Sequence, residues 1–518
     1  MKLAFAKEIQ KLDRAAIKTY AIPGIVLMEN AGVGTVQAIM ESFGELAGRT
    51  IMILAGPGNN GGDGLVIARH VLQHGGTPIV FLLCDPKKVT GDAAVNLKIV
   101  QKLDILVYPI TDMERLTTVG NCIPDSDLVI DAIFGTGLKR EITGHFAGAV
   151  DLINTAECPV ISIDMPTGLN SDTGIPLGPC VVADMTVTYG LAKPGQLTGD
   201  GPLYTGRLGI VDIGIPPAAV AEADLMIEAL EDRTISPLIP ARPARAHKGT
   251  FGHLLILAGS RGKTGAALLC ARGALRSGVG LVTMAAPMDL NNIFESALAE
   301  AMTLPLPGST DGFASDKDLQ RICKNTADKQ AMVIGPGLGQ DKATGRLVTS
   351  LYRESELPLV VDADALNLLA IDRSLLANPP APRILTPHPG EMARLSGKST
   401  LNIQANRLSF AIDFAVSNQV YLVLKGPGTI IAAPDGHAAI NSNGNQLLAA
   451  GGSGDVLAGV IGSFLAQGLA PWDAACLGIY IHGMAADHLA ANDNILTGLL
   501  PTELADELPA VLTELASC

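Results

Sequence analysis

Charged and aromatic side chains are scarce in this sequence of 518 residues. Charged residues make up 17% of the chain, below the usual quarter, and aromatic residues only 4%. There is no basic cluster, and the formal net charge of −14 is spread evenly, which argues against nucleic acid as the main partner. The chain also lacks any run of about 18 apolar residues and an apolar stretch near its start, so we expect no membrane span and no signal peptide.

Cysteine follows no recognisable pattern along the chain. No two of the eight cysteines form a Cys-x-x-Cys pair, so the spacing excludes a zinc ribbon or a dithiol motif. Scattered thiols without a signal peptide predict a cytoplasmic protein, in a reducing compartment. The cysteines are Cys84, Cys122, Cys158, Cys180, Cys270, Cys323, Cys476 and Cys518.

The length predicts two large domains, at roughly 100–200 residues or more for each. Glycine contributes 57 residues, which suits tight turns between strands and helices. The stretch from about 213 to 248 carries five prolines after Gly214 and breaks the alternation of strands and helices, as a linker would. We therefore divide the chain into domains 1–222 and 223–518.

Both halves alternate short apolar runs with helical patterns. Runs without polar alternation indicate strands covered on both faces, and their alternation with helices predicts a doubly wound parallel sheet. A second α/β series starts at His253, and no repeat of fixed period relates it to the first. The first series has predicted strands beginning at Thr50, Pro78, Asp104, Asp127, Pro159, Met185 and Leu208.

Polar loops follow three predicted strands of the first half. Residues 56–61 satisfy G-x-G-x-x-G, a weak pattern for which a tight turn between strand and helix is the simpler alternative, whereas the string NNGGD at 59–63 is more specific. Asp131 and Asp164 lie at two other strand ends. Carboxyl ends of parallel strands line one crevice, so these loops can converge on a ligand; helix caps and Asx turns are the simpler alternative for each aspartate.

The strings NNGGDGL, DAIFGTGL and IDMPTGL with SDTG resemble the YjeF amino-terminal domain family, the epimerase half of bacterial NAD(P)H-hydrate repair enzymes. The resemblance covers about residues 1–220 and implies a Rossmann-like, often dimeric fold and a K⁺ ion held by Asn60, Asp131 and Thr167. We expect Asp164 to be catalytic. The implied contacts to the hydrated nucleotide are Asn59, Asn60, Gly61, Gly62, Asp63, Gly135, Thr136, Gly137, Leu138, Lys139, Arg140, Glu141 and Asp164.

In the second half, GSRGKT fails as a phosphate-binding loop because Leu257 stands where that motif needs glycine. The string GGSGD ending at Asp455 precedes an apolar helix, so free amides and an aspartate meet at a positive helix end. Asp455 is either a helix cap or a base that takes a proton from a hydroxyl. For Asp362 and Asp364, capping and metal binding remain equally open, and His388 lies in a rigid loop between two prolines.

The ordered strings HKGTFGHLLILAGS, IGPGLG, VVDADALNLL, LTPHPGEMARL, LKGPGT and GGSGDVLAG resemble the ribokinase-like YjeF carboxy-terminal family over about residues 230–510. The resemblance implies a dehydratase that uses ADP, and we expect Mg²⁺ to screen the phosphates. Asp455 is the expected base. The implied ADP contacts are Lys425, Gly426, Pro427, Gly428, Thr429 and Gly454, and the implied hydrate contacts are Ala266, Gly337, His388 and Asp455.

The predicted function is repair of NADH and NADPH that have been hydrated on the nicotinamide ring. An epimerase half interconverts the R and S hydrates, and a dehydratase half restores the cofactor from the S form, converting ADP to AMP and phosphate. We expect a cytoplasmic homo-oligomer whose partners are these small molecules. The alternatives are a ribokinase-like small-alcohol (vitamin) kinase fused to a nucleotide-binding module, a nicotinamide-dependent dehydrogenase and a binding module without catalysis.

Overall fold

The computed structural model describes residues 1–120, 126–309, 311–492 and 497–517. Cys122 and Cys518 lie outside these ranges; the other six cysteines are free. The chain divides into two compact units, one spanning Lys2–Ile227 and the other Glu228–Cys518 together with Met1. The division falls within the linker predicted from the proline-rich stretch.

The first unit contains a parallel sheet of seven strands. Its strands are β2 (Thr50–Ala55), β3 (Thr77–Leu82), β4 (Leu106–Pro109), β5 (Leu128–Ala132), β6 (Val160–Ile163), β7 (Met185–Tyr189) and β8 (Arg207–Val211), and the short β1 (Lys2–Leu3) is not part of it. The sheet order is β4-β3-β2-β5-β6-β7-β8, so the seven predicted strands are all present, and the short β1 is additional.

Helices cover both faces of this sheet. They are α1 (Ala6–Lys18), α2 (Gly24–Phe43), α3 (Asn59–Gln73), α4 (Gly91–Lys102), α5 (Met113–Gly120), α6 (His145–Ile153), α7 (Pro194–Leu197), α8 (Gly201–Thr205) and α9 (Pro217–Glu222). Within β2, Ile51 and Ile53 belong to one buried cluster and Met52 and Leu54 to another, because successive side chains point to opposite faces. The Rossmann-like doubly wound prediction is confirmed.

The second unit contains a larger, mixed sheet. Its strands are β9 (Ile227–Ala229), which begins at the unit boundary, β10 (His253–Leu257), β11 (Leu281–Pro287), β12 (Met302–Leu306), β13 (Ala331–Ile334), β14 (Leu359–Val361), β15 (Arg383–Leu385), β16 (Tyr421–Leu424), β17 (Thr429–Ala432) and β18 (Ala438–Asn441). Strands β10 to β18 lie in the order β18-β17-β16-β15-β14-β13-β10-β11-β12. Among these nine described strands, β17 is antiparallel to β16 and β18, and the other neighbouring pairs are parallel. Strands β9, β12 and β18 were not predicted.

The helices of the second unit complete the ribokinase-like α/β architecture that the sequence predicts. They are α10 (Asp232–Ile235), α11 (Thr264–Arg276), α12 (Asn291–Ala297), α13 (Leu319–Lys324), α14 (Lys342–Glu354), α15 (Asp364–Leu369), α16 (Pro389–Ser396), α17 (Thr400–Ala405), α18 (Arg407–Asn418), α19 (Ser453–Ala466), α20 (Pro471–Asn492) and α21 (Pro501–Leu515). Helix α19 is buried along all of Val456 to Ala466, as a helix that is apolar on every side must be.

Within the described part of the chain, every helix is too short or too polar to cross a membrane. The sheets instead determine where the polar loops lie. Parallel strands β13 to β16 end at the same edge, so the residues that follow them, among them Asp362, Thr386 and Lys425, come close together. Asp164 follows β6 in the same way in the first unit.

Candidate functional site

A cavity of about 1070 Å³ lies at the carboxyl ends of the strands of the first unit. It brings together most of the predicted binding residues, namely Asn59, Asn60, Asp63, Gly135, Thr136, Gly137, Leu138, Lys139, Arg140, Glu141 and Asp164. Gly61 and Gly62 do not line it. A Cβ at Gly61 would lie 1.9 Å from the carbonyl oxygen of Gly56, so this glycine permits the close approach of α3 to the loop before it.

Both carboxylate oxygens of Asp164 are engaged by donors. The backbone N–H of Thr136 donates to Oδ2 at 2.8 Å, and the ammonium of Lys193 donates to Oδ1 at 2.6 Å. Lys193 is 0% exposed and also donates to the hydroxyl of Thr188 at 2.6 Å. Asp164 adopts a left-handed backbone conformation, with φ 63°, which aims its side chain at these donors. The arrangement holds Asp164 as a fixed carboxylate.

Two further carboxyl groups of the same cavity have raised pKa values. Burial, and then the charge of Asp164, raises the pKa of Asp13 to about 6, while Lys193 opposes this rise. Burial, followed by the charges of Asp164 and Asp13, raises the pKa of Asp63 well above its usual range. Sequence reasoning missed Asp13 and Lys193. Lys193 follows β7 within the string LAKPGQ, a strand-end signal that could have found it, but Asp13 belongs to no motif.

The predicted cation ligands lie behind the cavity and at its wall. Asp131 is within β5 and fully buried, and its carboxylate accepts from the hydroxyl and the backbone N–H of Thr167 at 2.6 and 2.8 Å and from the Ser162 hydroxyl at 2.8 Å. Burial raises its pKa, and these hydrogen bonds oppose the rise. The buried amide atoms of Asn60 have no hydrogen-bond partner among the described residues.

The second unit has a cavity of about 510 Å³ at the strand ends. It is lined by Gly262, Lys263, Gly265, Ala266, Leu269, Gly337, Ala363, Asp364, Asn367, Glu391, Gly451, Gly452 and Asp455. The structure thus brings together three of the predicted hydrate contacts, Ala266, Gly337 and Asp455. His388, Gly454 and the 425–429 loop do not line it.

Asp455 lies in the first turn of α19, where the unpaired amides of the helix start also lie. Gly452, with φ 105°, turns the chain into this helix. Burial, and then the charge of Asp362, raises the pKa of Asp455 to about 7, while Lys425 lowers it. Its carboxyl group therefore titrates near neutral pH, which suits a group that accepts a proton during a reaction.

Lys425 forms a buried ion pair beside the start of α19. Its ammonium donates to Oδ1 of Asp362 at 2.9 Å, and the hydroxyl of Thr386 donates to the same oxygen at 2.7 Å. A Cβ at Gly454 would lie 3.3 Å from the Lys425 nitrogen. The positive charge therefore adjoins the helix start, where an anionic group would bind.

A second lysine–aspartate pair lies at the rim of the cavity. The ammonium of Lys263 donates to Oδ2 of Asp364 at 2.9 Å, and the Gly339 N–H donates to the same oxygen at 2.9 Å. Burial raises the pKa of Asp364, but bonds from Lys263, Gln340 and Gly339 outweigh it and hold the pKa below its usual value. Among residues 1–120, 126–309, 311–492 and 497–517, no three His, Cys, Asp or Glu side chains are grouped to hold a metal ion.

His388 is the N-cap of α16. Its Nδ1 accepts from the backbone N–H groups of Gly390 and Glu391 at 3.0 and 3.4 Å, and the Glu391 carboxylate accepts from the His388 N–H at 2.8 Å. Burial lowers the pKa of His388, consistent with a neutral acceptor nitrogen. A contact between His388 and the hydrate stays a prediction.

Comparisons with known proteins follow the same division of the chain. The family described as YjeF-related protein N-terminus matches residues 24–195, and the family described as NAD(P)H-hydrate dehydratase matches residues 254–510. The chain is 44% identical to a bifunctional NAD(P)H-hydrate repair enzyme of Moorella thermoacetica over 99% of its length and 97% of the relative's. It is 33% identical to the Escherichia coli enzyme of that name, over 98% of this chain and 93% of the relative.

A solved structure is similar to a little over half of this chain. It is an ADP/ATP-dependent NAD(P)H-hydrate dehydratase from Bacillus subtilis co-crystallised with ATP and Mg²⁺. The identity is 33%, the TM-score is 0.48, and the match covers 56% of this chain and 98% of that one.

Proposed function

Because this chain belongs to the family of bifunctional NAD(P)H-hydrate repair enzymes, we propose that it epimerises hydrated NADH and NADPH and dehydrates the S hydrate with ADP. The observation that carries this function is the match over 99% of the chain to a bifunctional relative. A match of that extent favours repair over a small-alcohol kinase, which would account for the second unit alone. We assign epimerisation to the first unit and dehydration to the second.

Dehydration requires a better leaving group than hydroxide. Asp455 accepts the proton of the C6 hydroxyl while the hydroxyl oxygen attacks the terminal phosphorus of ADP, and AMP departs. The N1 lone pair then expels phosphate from C6, and loss of the proton at C5 restores the C5=C6 bond. A carboxyl group with a pKa of about 7 is partly ionised at neutral pH and is more basic than an ordinary aspartate, so it can accept the proton.

We assign nucleotide binding to the loop of Lys425, Gly426, Pro427, Gly428 and Thr429 and to Gly454. The charge of Lys425 and the amides at the start of α19 support this assignment, since both stabilise an incoming phosphoryl group. The hydrate would then contact Ala266, Gly337, His388 and Asp455. Ala266, Gly337 and Asp455 share one cavity, which supports that part of the assignment.

Mg²⁺ is bound in proteins by one or two carboxylates together with substrate phosphates and water. Glu391 fits this requirement because it lines the cavity and burial raises the pKa of its carboxyl, so a cation would stabilise its charge. Bound there with the nucleotide, Mg²⁺ would neutralise phosphate charge during transfer.

In the first unit we assign hydrate binding to the cavity residues between 59 and 63, between 135 and 141, and to Asp164. Asp164 is the catalytic carboxylate, and its fixed charge suits stabilisation of a positively charged ring. The oxygens of Asn60, Asp131 and Thr167 fit a hard monovalent cation such as K⁺, because Asn60 lacks a described partner and Asp131 is a fully buried carboxylate. Such an ion would balance the buried charge of Asp131.

Self-association and a cytoplasmic location also remain part of the proposal.

The experiment that tests the proposed repair function offers the purified protein a mixture of both hydrate epimers with ADP, with ATP or with neither. We expect recovery of the whole reduced cofactor pool when ADP is present and none without nucleotide. Recovery of only the S fraction would contradict the epimerase assignment, and rapid phosphorylation of a vitamin alcohol instead would favour the kinase.

A further inference from the structure

Among the carboxyl groups that line the cavity of the first unit are those of Asp13, Asp63 and Asp164, and the cavity also contains the fully buried ammonium of Lys193. Asp13 reaches it from α1, Asp63 from α3 and Asp164 from the end of β6. Lys193 pairs with Asp164 at 2.6 Å. The single buried positive charge is therefore already matched, and Asp13 and Asp63 share the remaining space with a fixed negative charge.

Burial and like charge oppose the simultaneous ionisation of two carboxyl groups placed in this way. The pKa of Asp13 is about 6, raised first by burial and then by Asp164, so this group is mostly ionised at pH 7. The pKa of Asp63 is raised well above its usual range, by burial first and then by Asp164 and Asp13, which favours the protonated form of this group. Their environments thus separate the two into a base and an acid.

Other titratable groups also face this space. Lys193 lowers the pKa of Asp13 but does not outweigh burial and Asp164. The hydroxyl of Tyr189 is bonded to Thr35 at 3.0 Å, and its own pKa is raised by burial, so it stays neutral. The remaining titratable residues that line the cavity are Asp92, Lys139, Arg140, Glu141 and His145.

We propose that Asp63 and Asp13 are the acid and the base that move protons in the epimerisation, while Asp164, held by Lys193, supplies the fixed negative charge. This inference rests on the proposed epimerase function of the first unit. It assigns catalytic roles to Asp13, which carries no sequence motif, and to Asp63, which the resemblance gives only as a binding residue.

In one direction, the epimerisation proceeds by loss of water from C6 and its re-addition to the other face of the ring. The N1 lone pair forms the N1=C6 bond as the C6–O bond breaks, and Asp63 gives its proton to the departing oxygen, which leaves as water. Asp164 balances the charge of the ring cation, which is planar at C6. Water adds to the other face, the C=N electron pair returns to N1, and Asp13 accepts the released proton. The reverse reaction, or exchange with solvent, returns the proton to Asp63.

The test measures interconversion of separated R and S hydrates by the full-length protein without ADP, from about pH 5 to pH 8. We expect the wild-type rate to fall as the pH drops through about 6, because Asp13 then becomes protonated. Asp13→Asn should be about 10²-fold slower and lose that dependence, since a positioned base typically contributes 10²–10⁴-fold. Asp63→Asn should be slowed to a similar extent at neutral pH.

Two further variants and a measurement of stability serve as controls. Asp13→Glu retains a carboxyl group and should recover part of the activity, and Asp151→Asn, an exposed change on α6, should match the wild type. Thermal unfolding of each variant separates lost chemistry from lost folding. A folded Asp13→Asn protein with more than a tenth of the wild-type rate, or one with the same fall near pH 6, would overturn the assignment. A wild-type protein that does not interconvert the hydrates would instead overturn the proposed function.

Discussion

The ammonium of Lys425 lies 2.9 Å from Oδ1 of Asp362, and this pair adjoins the start of α19, the helix that carries Asp455. The two members of the pair act oppositely on Asp455. The Asp362 charge raises the pKa of Asp455, whereas the Lys425 charge lowers it. The pair therefore influences the pH at which Asp455 becomes able to accept a proton.

Replacing Asp362 should move the pH dependence of dehydration. A base works in its deprotonated form, so the wild-type rate should fall as the pH drops through about 7. Asp362→Asn removes the largest charge that raises the pKa of Asp455, and we expect the fall to shift to lower pH. Initial rates on the S hydrate with saturating ADP provide the measurement. Asp413→Asn, an exposed change on α18, should leave the profile unchanged; an unshifted profile in Asp362→Asn would contradict the coupling.

Replacing Asp455 should separate the two activities. Asp455→Asn removes the base, so dehydration should fall by about 10²–10⁴-fold. Epimerisation should stay at the wild-type rate, because the proposed site for it lies in the other unit. Both rates can be followed in one reaction by separating the R hydrate, the S hydrate and the reduced cofactor. Equal loss of both activities would count against this division of labour.

Replacing Lys193 should destabilise the first unit. Lys193→Met leaves Asp164 as an unpaired, largely buried carboxylate, and breaking a buried pair by removing one partner costs about 3–5 kcal/mol. Arg115→Met is the matched control in the same unit, since its pair with Asp112 is exposed and such pairs contribute about 0–1 kcal/mol. Urea unfolding followed by circular dichroism measures both variants. A loss for Lys193→Met no larger than that for Arg115→Met would show that the pair contributes little.

Potassium should affect the first unit selectively. If Asn60, Asp131 and Thr167 hold K⁺, replacing K⁺ by tetramethylammonium should lower the unfolding temperature of the first unit and slow epimerisation. Asn60→Ala removes the side-chain amide that has no hydrogen-bond partner among the described residues. The unfolding temperature of this variant should therefore respond little to K⁺. A wild-type unfolding temperature that is independent of K⁺ would argue against the ion.

Strand ends are where the sequence was most informative about the sites. Asp164, Asp455 and three residues of the 59–63 segment, Asn59, Asn60 and Asp63, follow a strand or begin a helix, and each of these lines a cavity. Asp131 was also expected at a strand end, and it is the last but one residue of β5, but it does not line the cavity: its carboxylate accepts hydrogen bonds from Thr167 and Ser162. The strand-end rule predicts which edge a residue occupies but not the direction of its side chain.

Other features carried too little signal to be found in this way. Asp13 lies on α1, far along the sequence from the loops that it meets, and its surroundings arise only from tertiary packing. Strand β12 contains Pro305, which weakens any prediction of a strand, and the structure places β12 at the edge of the sheet, where proline is tolerated. His388 was placed in a rigid loop, and its role as the N-cap of α16 could be recognised only once the start of that helix was known.

The close approach of α3 to Gly56 limits how the first unit can be altered. Even one methyl group at Gly61 would have to displace the helix, since it would lie 1.9 Å from a carbonyl oxygen. Asn60 and Asp63 belong to that helix, so they would be displaced together. Efforts to redesign substrate preference should therefore vary the exposed cationic side chains of Lys139 and Arg140, which line the cavity, and leave this junction untouched.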